Sequence, residues 1–301
     1  MKISTTMNTL NPVENEGGYS AKEIVQKLNN AGFTSLDFCA FRYINGKNVF
    51  GNHPLCSDRW KDWIEELLYF AEGLGITFNQ SHNLTFNYFD DDETTSALDQ
   101  MLDRMIEASA LLGANITVLH PIAPPNCQRD LRKCLNRNLD YFKKKAEYAD
   151  RFHVNLALEN MITSRFFDGS EYWRYCSSLE QLVELVDAIN LPNVGICYDV
   201  GHAHYMHIEP DVGLPLVKER LIALHIHDND TFQDQHLLPF QGTIDWEVLC
   251  RTLAKIGYSG DFTYEISHAV SRMPENLQED ALKCAYKTAV YLVERIESYL
   301  S

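Results

Sequence analysis

His82, His120, Glu159, Asp199, His225 and Glu265 follow one another at intervals of 38, 39, 40, 26 and 40 residues in a chain of 301. All six are side chains that hold divalent cations, and most of the intervals match one strand–helix unit. Each closes a short apolar or β-branched run, where a charged or imidazole group is seldom buried unless it is paired or bound to a metal. A ring of mixed carboxylates and imidazoles suits Mn, Zn, Co or Fe, with Mg at an oxygen-rich subset. Three more residues extend the set: His202, in Asp199-Val-Gly-His202, and Asp234 and His236, in "DQH".

The stretch "LHIHDND", residues 224 to 230, carries two histidines two positions apart. On a strand they share one face, with Leu224 and Ile226 on the other. His227 then lies about 6 to 7 Å further along than His225, one step nearer the rim, where it is placed to touch a substrate. Asp228 turns towards the wall as an anchoring group.

The elements that must position these residues are legible as apolar runs. KISTTM, SLDFCAF, ITFNQSH, ITVLHPI, NLALEN, VGICYDV, IALHIHD and DFTYEIS read as eight strands. Helix-like stretches with apolar residues at i, i+3, i+4 spacing alternate with them, and Gly32, Gly75, Gly113 and Gly257 stand where left-handed helix caps are expected. Eight such units in about 300 residues predict a (β/α)8 barrel, an α/β TIM barrel spanning 1–301 as a single domain. An open doubly wound sheet would more often have five or six units and a Gly-rich first turn, and neither G-x-G-x-x-G nor a phosphate loop occurs. In such a barrel the chemistry sits at the C-terminal strand ends, where the six residues fall.

Composition narrows the partners. The net charge of −16 opposes nucleic acid and anionic membrane surfaces. No run of 18 apolar residues exists, and the opening MKISTTMNTLNP lacks the apolar stretch of a signal peptide. Eight scattered cysteines without a C-x-x-C pair fit free thiols in a reducing cytoplasm. The C-terminal stretch "YLVERIESYLS" is a candidate face for a second copy of the chain, or for closing the barrel.

"LALEN", "CYDVGHAHY", "LHIHDND...DQHLLPFQGTIDW", "KIGYSGDFTYEIS" and the histidines of "QSHN" and "LHP" together resemble the xylose isomerase-like TIM barrel superfamily, over almost the whole chain. That superfamily includes sugar isomerases and epimerases and the type IV AP endonucleases, so the resemblance guides fold better than substrate. It implies a four-ligand metal site at Glu159, Asp199, His225 and Glu265. His225 is thereby the ligand of the strand-7 pair. In the endonucleases two further zincs use the positions of His82 and His120 with Glu159, and of His202 with Asp234 and His236. The resemblance also implies that Glu159 and Glu265 are the catalytic acid and base, and that His202 contacts a substrate oxygen.

The chain departs from the keto-hexose 3-epimerase subgroup at Arg165 and Thr231, where that subgroup has a glutamate and an arginine. Arg165 is then a candidate contact for a substrate carboxylate or phosphate, as is Arg129-Asp-Leu-Arg132-Lys133.

The function expected is isomerisation or epimerisation of a sugar or related polyol ketone through α-proton abstraction and a metal-stabilised enediolate. An inosose-type dehydratase shares the proton abstraction and differs in what leaves. An abasic-site phosphodiesterase would use the nine ligands, but the acidic charge and the absence of a clear basic stripe oppose it.

Overall fold

The computed structural model describes residues 1–11, 18–123, 130–165 and 168–300. Eight of its strands coincide with the apolar runs: Ile3–Thr6 (β1), Ser35–Cys39 (β2), Thr77–His82 (β3), Ile116–Leu119 (β4), Asn155–Glu159 (β5), Val194–Asp199 (β6), Leu221–His225 (β7) and Phe262–Tyr264 (β8). They lie parallel in the spatial order β8-β1-β2-β3-β4-β5-β6-β7. A parallel bridge between Ile226 and Tyr264 joins the two ends, so the sheet is a nearly closed TIM barrel.

The connections are the helices Ala21–Ala31 (α1), Trp60–Gly73 (α2), Glu93–Leu111 (α3), Leu131–Asp150 (α4), Leu179–Ile189 (α5), Val200–Tyr205 (α6), Pro210–Val217 (α7), Trp246–Ile256 (α8), Ser267–Ser271 (α9) and Glu275–Ser298 (α10). Their ends follow local chemistry. Ser20 and Glu23 form a reciprocal capping box at the start of α1, and Asp92, Asp130 and Asp245 cap α3, α4 and α8. Gly32, Gly75, Gly113 and Gly257 all have positive φ, as expected of them. Among the described residues no helix is long and apolar enough to cross a membrane.

Strand alternation sorts the core into two parts. Leu156, Leu158, Ile196, Tyr198, Leu224 and Ile226 belong to the large apolar layer between sheet and helices. Val118, Ala157, Cys197 and Ala223 form a separate buried cluster inside the barrel. Two residues further along the same strands stand His120, Glu159, Asp199 and His225. The barrel is thus plugged by a layer of small side chains, and the layer above it, at the C-terminal mouth, is polar. That alternation is what turns the sequence spacing into a converging site.

Candidate active site

Glu159 is fully buried at the end of β5 and lies at the centre of the polar layer. His120 Nε2 donates to its Oε2 at 2.7 Å, and His82 Nε2 is 3.4 Å from the same oxygen. His225 Nδ1 lies 2.9 Å from Oε1 and 3.3 Å from Glu265 Oε2. Asn8 Nδ2 donates to the other Glu265 oxygen at 3.1 Å. Asp199 ends β6 and caps α6, with its Oδ1 accepting from His202 N at 2.6 Å, so the sequence Asp-Val-Gly-His builds a helix start and brings two candidate ligands together. Asn160 fixes that strand end from both sides, donating to Asp199 O and accepting from Asp199 N.

Four of the imidazoles are held by their outer nitrogens. His82 Nδ1 donates to Asn83 O, His202 Nδ1 to Asn160 O and His236 Nδ1 to Glu265 O, at 3.1, 2.8 and 2.8 Å. His225 is held by the opposite atom: its Nε2 donates to Asp37 Oδ2 at 3.3 Å, and Gln80 Nε2 donates to the same oxygen at 2.9 Å. A backbone carbonyl or buried carboxylate on one ring nitrogen fixes the tautomer and leaves the other aimed inward, as in metal-ligating histidines. The inward Nε2 atoms of His202 and His236 lie 3.4 and 3.2 Å from Asp234 Oδ2.

Charge in this layer is balanced by imidazole. Burial alone would raise the Glu159 carboxyl, yet His225 and His120 beside it hold it well below the usual carboxylate range. Asp234 is likewise held low, against its burial, by His236 and His202. Burial opposes charge on His202 and His236 too, but the neighbouring carboxylates win, and His236 is pushed up to about 10. His120 is lowered, because burial there outweighs Glu159. The layer therefore calls for positive charge among its carboxylates, which protons or a cation can supply.

Among the described residues five groupings could hold a divalent ion, each with one ligand atom per residue within 4.8 Å of the others, and three of them together take in all the expected ligands: Glu159, Asp199, His225 and Glu265; His82, His120 and Glu159; and His202, His227, Asp234 and His236. Asp234 Oδ1 and His120 Nδ1 are buried with no hydrogen-bond partner. All nine residues expected as ligands therefore meet at one mouth. Glu159, Glu265, His82, His120, His202, Asp234 and His236 line one cavity of about 270 Å³.

His227 departs from expectation. It is fully buried and does not stand at the rim. The β7 pairing continues through the Ile226–Tyr264 bridge, so residue 227 is still inside the wall. Its ring stacks on His236 at 4.1 Å, and its Nε2 lies 3.0 Å from Asp199 Oδ1. It packs among the candidate ligands and is not among the described residues that line the cavity. Gly201 makes room for it, since a Cβ there would sit 1.9 Å from His227 Cε1.

Asp228 anchors the loop after β7, as expected. Its carboxylate accepts from the backbone N–H of Asn229, Phe240, Gly242 and Ile244 and from Trp246 Nε1, all at 2.9 to 3.2 Å. The backbone of Arg165 lies in a two-stranded hairpin, Ser164–Arg165 with Glu171–Tyr172. Its side chain is outside the described residues, as is Arg129.

Several residues were not singled out from sequence. Asp37 was visible only as a carboxylate inside an apolar strand, a placement that requires a partner. Gln80, Asn8 and Asn160 carry no comparable signal. Arg42 and Arg174 also line the cavity, with His268.

A family described as "Xylose isomerase-like TIM barrel" matches residues 25–288. The chain is 25% identical over 201 residues to an inosose isomerase of Bacillus subtilis, covering 64% of this chain and 67% of that one. It is 28% identical over 164 residues to a probable endonuclease 4 of Mesomycoplasma hyopneumoniae, covering 50% and 55%. The chain spans about half the length of several curated relatives it matches. Among solved structures, a D-tagatose 3-epimerase-like protein superposes with a TM-score of 0.76 at 19% identity, over 100% of both chains.

Proposed function

The chain belongs to the xylose isomerase-like TIM barrel family, and from that premise we propose that it is a divalent-metal-dependent isomerase or epimerase of a sugar or related polyol ketone, acting in the cytoplasm. One observation carries the reading. Glu159 and Glu265 open to one cavity, and a carboxylate oxygen of each lies within 4.8 Å of the other and of ligand atoms of Asp199 and His225. The cavity's size suits a small ligand. The seven described cysteines are free thiols, which supports a reducing compartment.

Glu159, Asp199, His225 and Glu265 would hold the ion, with Mn, Zn, Co or Mg as candidates. When bound, it would polarise the carbonyl and hydroxyl oxygens and stabilise negative charge developing on them. The chain's own groups do the rest. Glu159, held ionised by the imidazoles around it, takes the proton from the carbon beside the carbonyl. Glu265, which lines the same cavity, would move the second proton, with the roles exchanged in the reverse direction. Asn8 fixes the Glu265 carboxylate through Oε1. His202, tied by Nδ1 to Asn160, presents Nε2 to a substrate oxygen.

A second reading is favoured by the two extra groupings, which an endonuclease-type phosphodiesterase would use. The net charge of −16 weighs against it. The test is metal analysis of the purified protein, followed by NMR of ketoses, aldoses and inososes in deuterated water. We expect about one to three divalent ions per chain. Exchange of the α-proton should be abolished by Glu265→Gln with the fold retained. Undiminished exchange in that variant removes Glu265 from the chemistry. Incision of abasic duplex DNA that is lost in His82→Ala would promote the second reading.

A further inference from the structure

Arg42 and Arg174 line the cavity, and among the described residues neither pairs with the candidate ligands. Arg42, at the end of the 3-10 turn after β2, donates from Nη2 to Asn11 Oδ1 at 3.0 Å, while its Nε is buried with no partner. Arg174 follows the hairpin after β5. Among the described residues its only partner is the Tyr172 ring, 5.5 Å away. It stands where the cavity meets a second one of about 230 Å³, walled by Phe86, Ile122, Met161, Tyr172 and Trp173. No lysine lines either cavity among the described residues.

A guanidinium beside carboxylates normally pairs with one. Here Glu159, Glu265 and Asp234 are balanced by histidines, and no ion pair links them to either arginine among the described residues. A buried donor without a partner is costly unless a ligand satisfies it. The whole chain is strongly acidic, so an anion entering this mouth needs a local cation to overcome the field. We infer that Arg42 and Arg174 form an anion subsite beside the acid–base pair, and that the substrate is a ketose carrying a carboxylate or a phosphate monoester. This deepens the isomerase reading and rests on it for the ketose.

The experiment compares D-fructose, D-fructose 6-phosphate and D-fructuronate, which differ only at the terminal carbon, by calorimetry on the full chain as purified. One of the two anionic ketoses should bind about tenfold or more tighter than D-fructose, and which one distinguishes phosphate from carboxylate. In the R42Q–R174Q protein that ratio should fall to about one. The ratio is read within each protein, so a general loss of affinity does not imitate the effect. If the glutamine pair does not fold, the R42K–R174K protein should keep part of the preference. Equal binding of all three sugars by the wild type, or a preference that survives the glutamine pair, overturns the subsite. Deuterium exchange on the same samples separates the two ideas. Preference without exchange leaves the subsite and removes the isomerase reading, whereas exchange without preference does the reverse.

Discussion

At the residue scale, His82, His202, His225 and His236 each have one ring nitrogen committed outward and one aimed inward, so the choice of atom follows from the fold. His236 shows what this means for pH. In the metal-free protein its folded value is about 10 against 6.5 for the free group. A group raised on folding contributes stability that is fully present below its unfolded value and is lost as pH rises through its folded one. Urea melts in EDTA should therefore show stability falling between about pH 6.5 and pH 10. A bound divalent ion competes with that proton, so saturating metal should flatten or reverse the trend. Metal-free melts that do not change over this window would show that His236 is not balanced by Asp234 as described. Of these residues, the strand-end six were legible because apolar runs make a lone charge conspicuous. Arg42 and Arg174 were not, because arginines after a strand look the same whether they face solvent or a cavity.

At the scale of elements, the loop after β7 is the least ordinary segment. Thr231, His236 and Phe240 have φ of 70°, 46° and 74°, a left-handed conformation that is costly for β-branched and bulky side chains. Five donors converging on the buried Asp228 carboxylate offset that strain and deliver Asp234 and His236 to the mouth. Asp228→Asn would turn an amide towards N–H groups and should cost about 2–4 kcal/mol. Urea denaturation measures that loss, and limited proteolysis should cut within 230–241 faster. An unchanged midpoint would mean that the loop is held by other contacts. The eight strands and the left-handed glycines were readable because period and cap chemistry are local. The hairpin of Ser164–Arg165 with Glu171–Tyr172 was not, since strands of two residues carry no period. His227 was misjudged for a related reason: the sequence gives its face, but the depth of a strand end depends on how far its neighbour pairs with it.

For the whole molecule, the order β8-β1-β2-β3-β4-β5-β6-β7 leaves one seam. Elsewhere neighbouring strands share two or more residue pairs, for example Ile116–Leu119 with Asn155–Leu158. Between β7 and β8 there is the Ile226–Tyr264 bridge, with Ile226 N donating to Thr263 O and Glu265 N to Ile226 O. His225 and Glu265 flank this seam from opposite sides, and both belong to the same four-residue grouping. An ion held by both would be a clasp as well as a reagent, cross-linking the one join that the hydrogen-bond ladder leaves thin. Hydrogen exchange should show it: the amides of Ile226 and Glu265 slow on metal loading far more than those of Thr117 and Leu156 on the opposite wall. Equal slowing everywhere would leave the ion its chemistry and deny it the clasp. With the clasp, stripping the metal would loosen the barrel along a single line that runs through its own acid–base pair, so that demetallated chains would be identified by a gaping seam before any loss of helix.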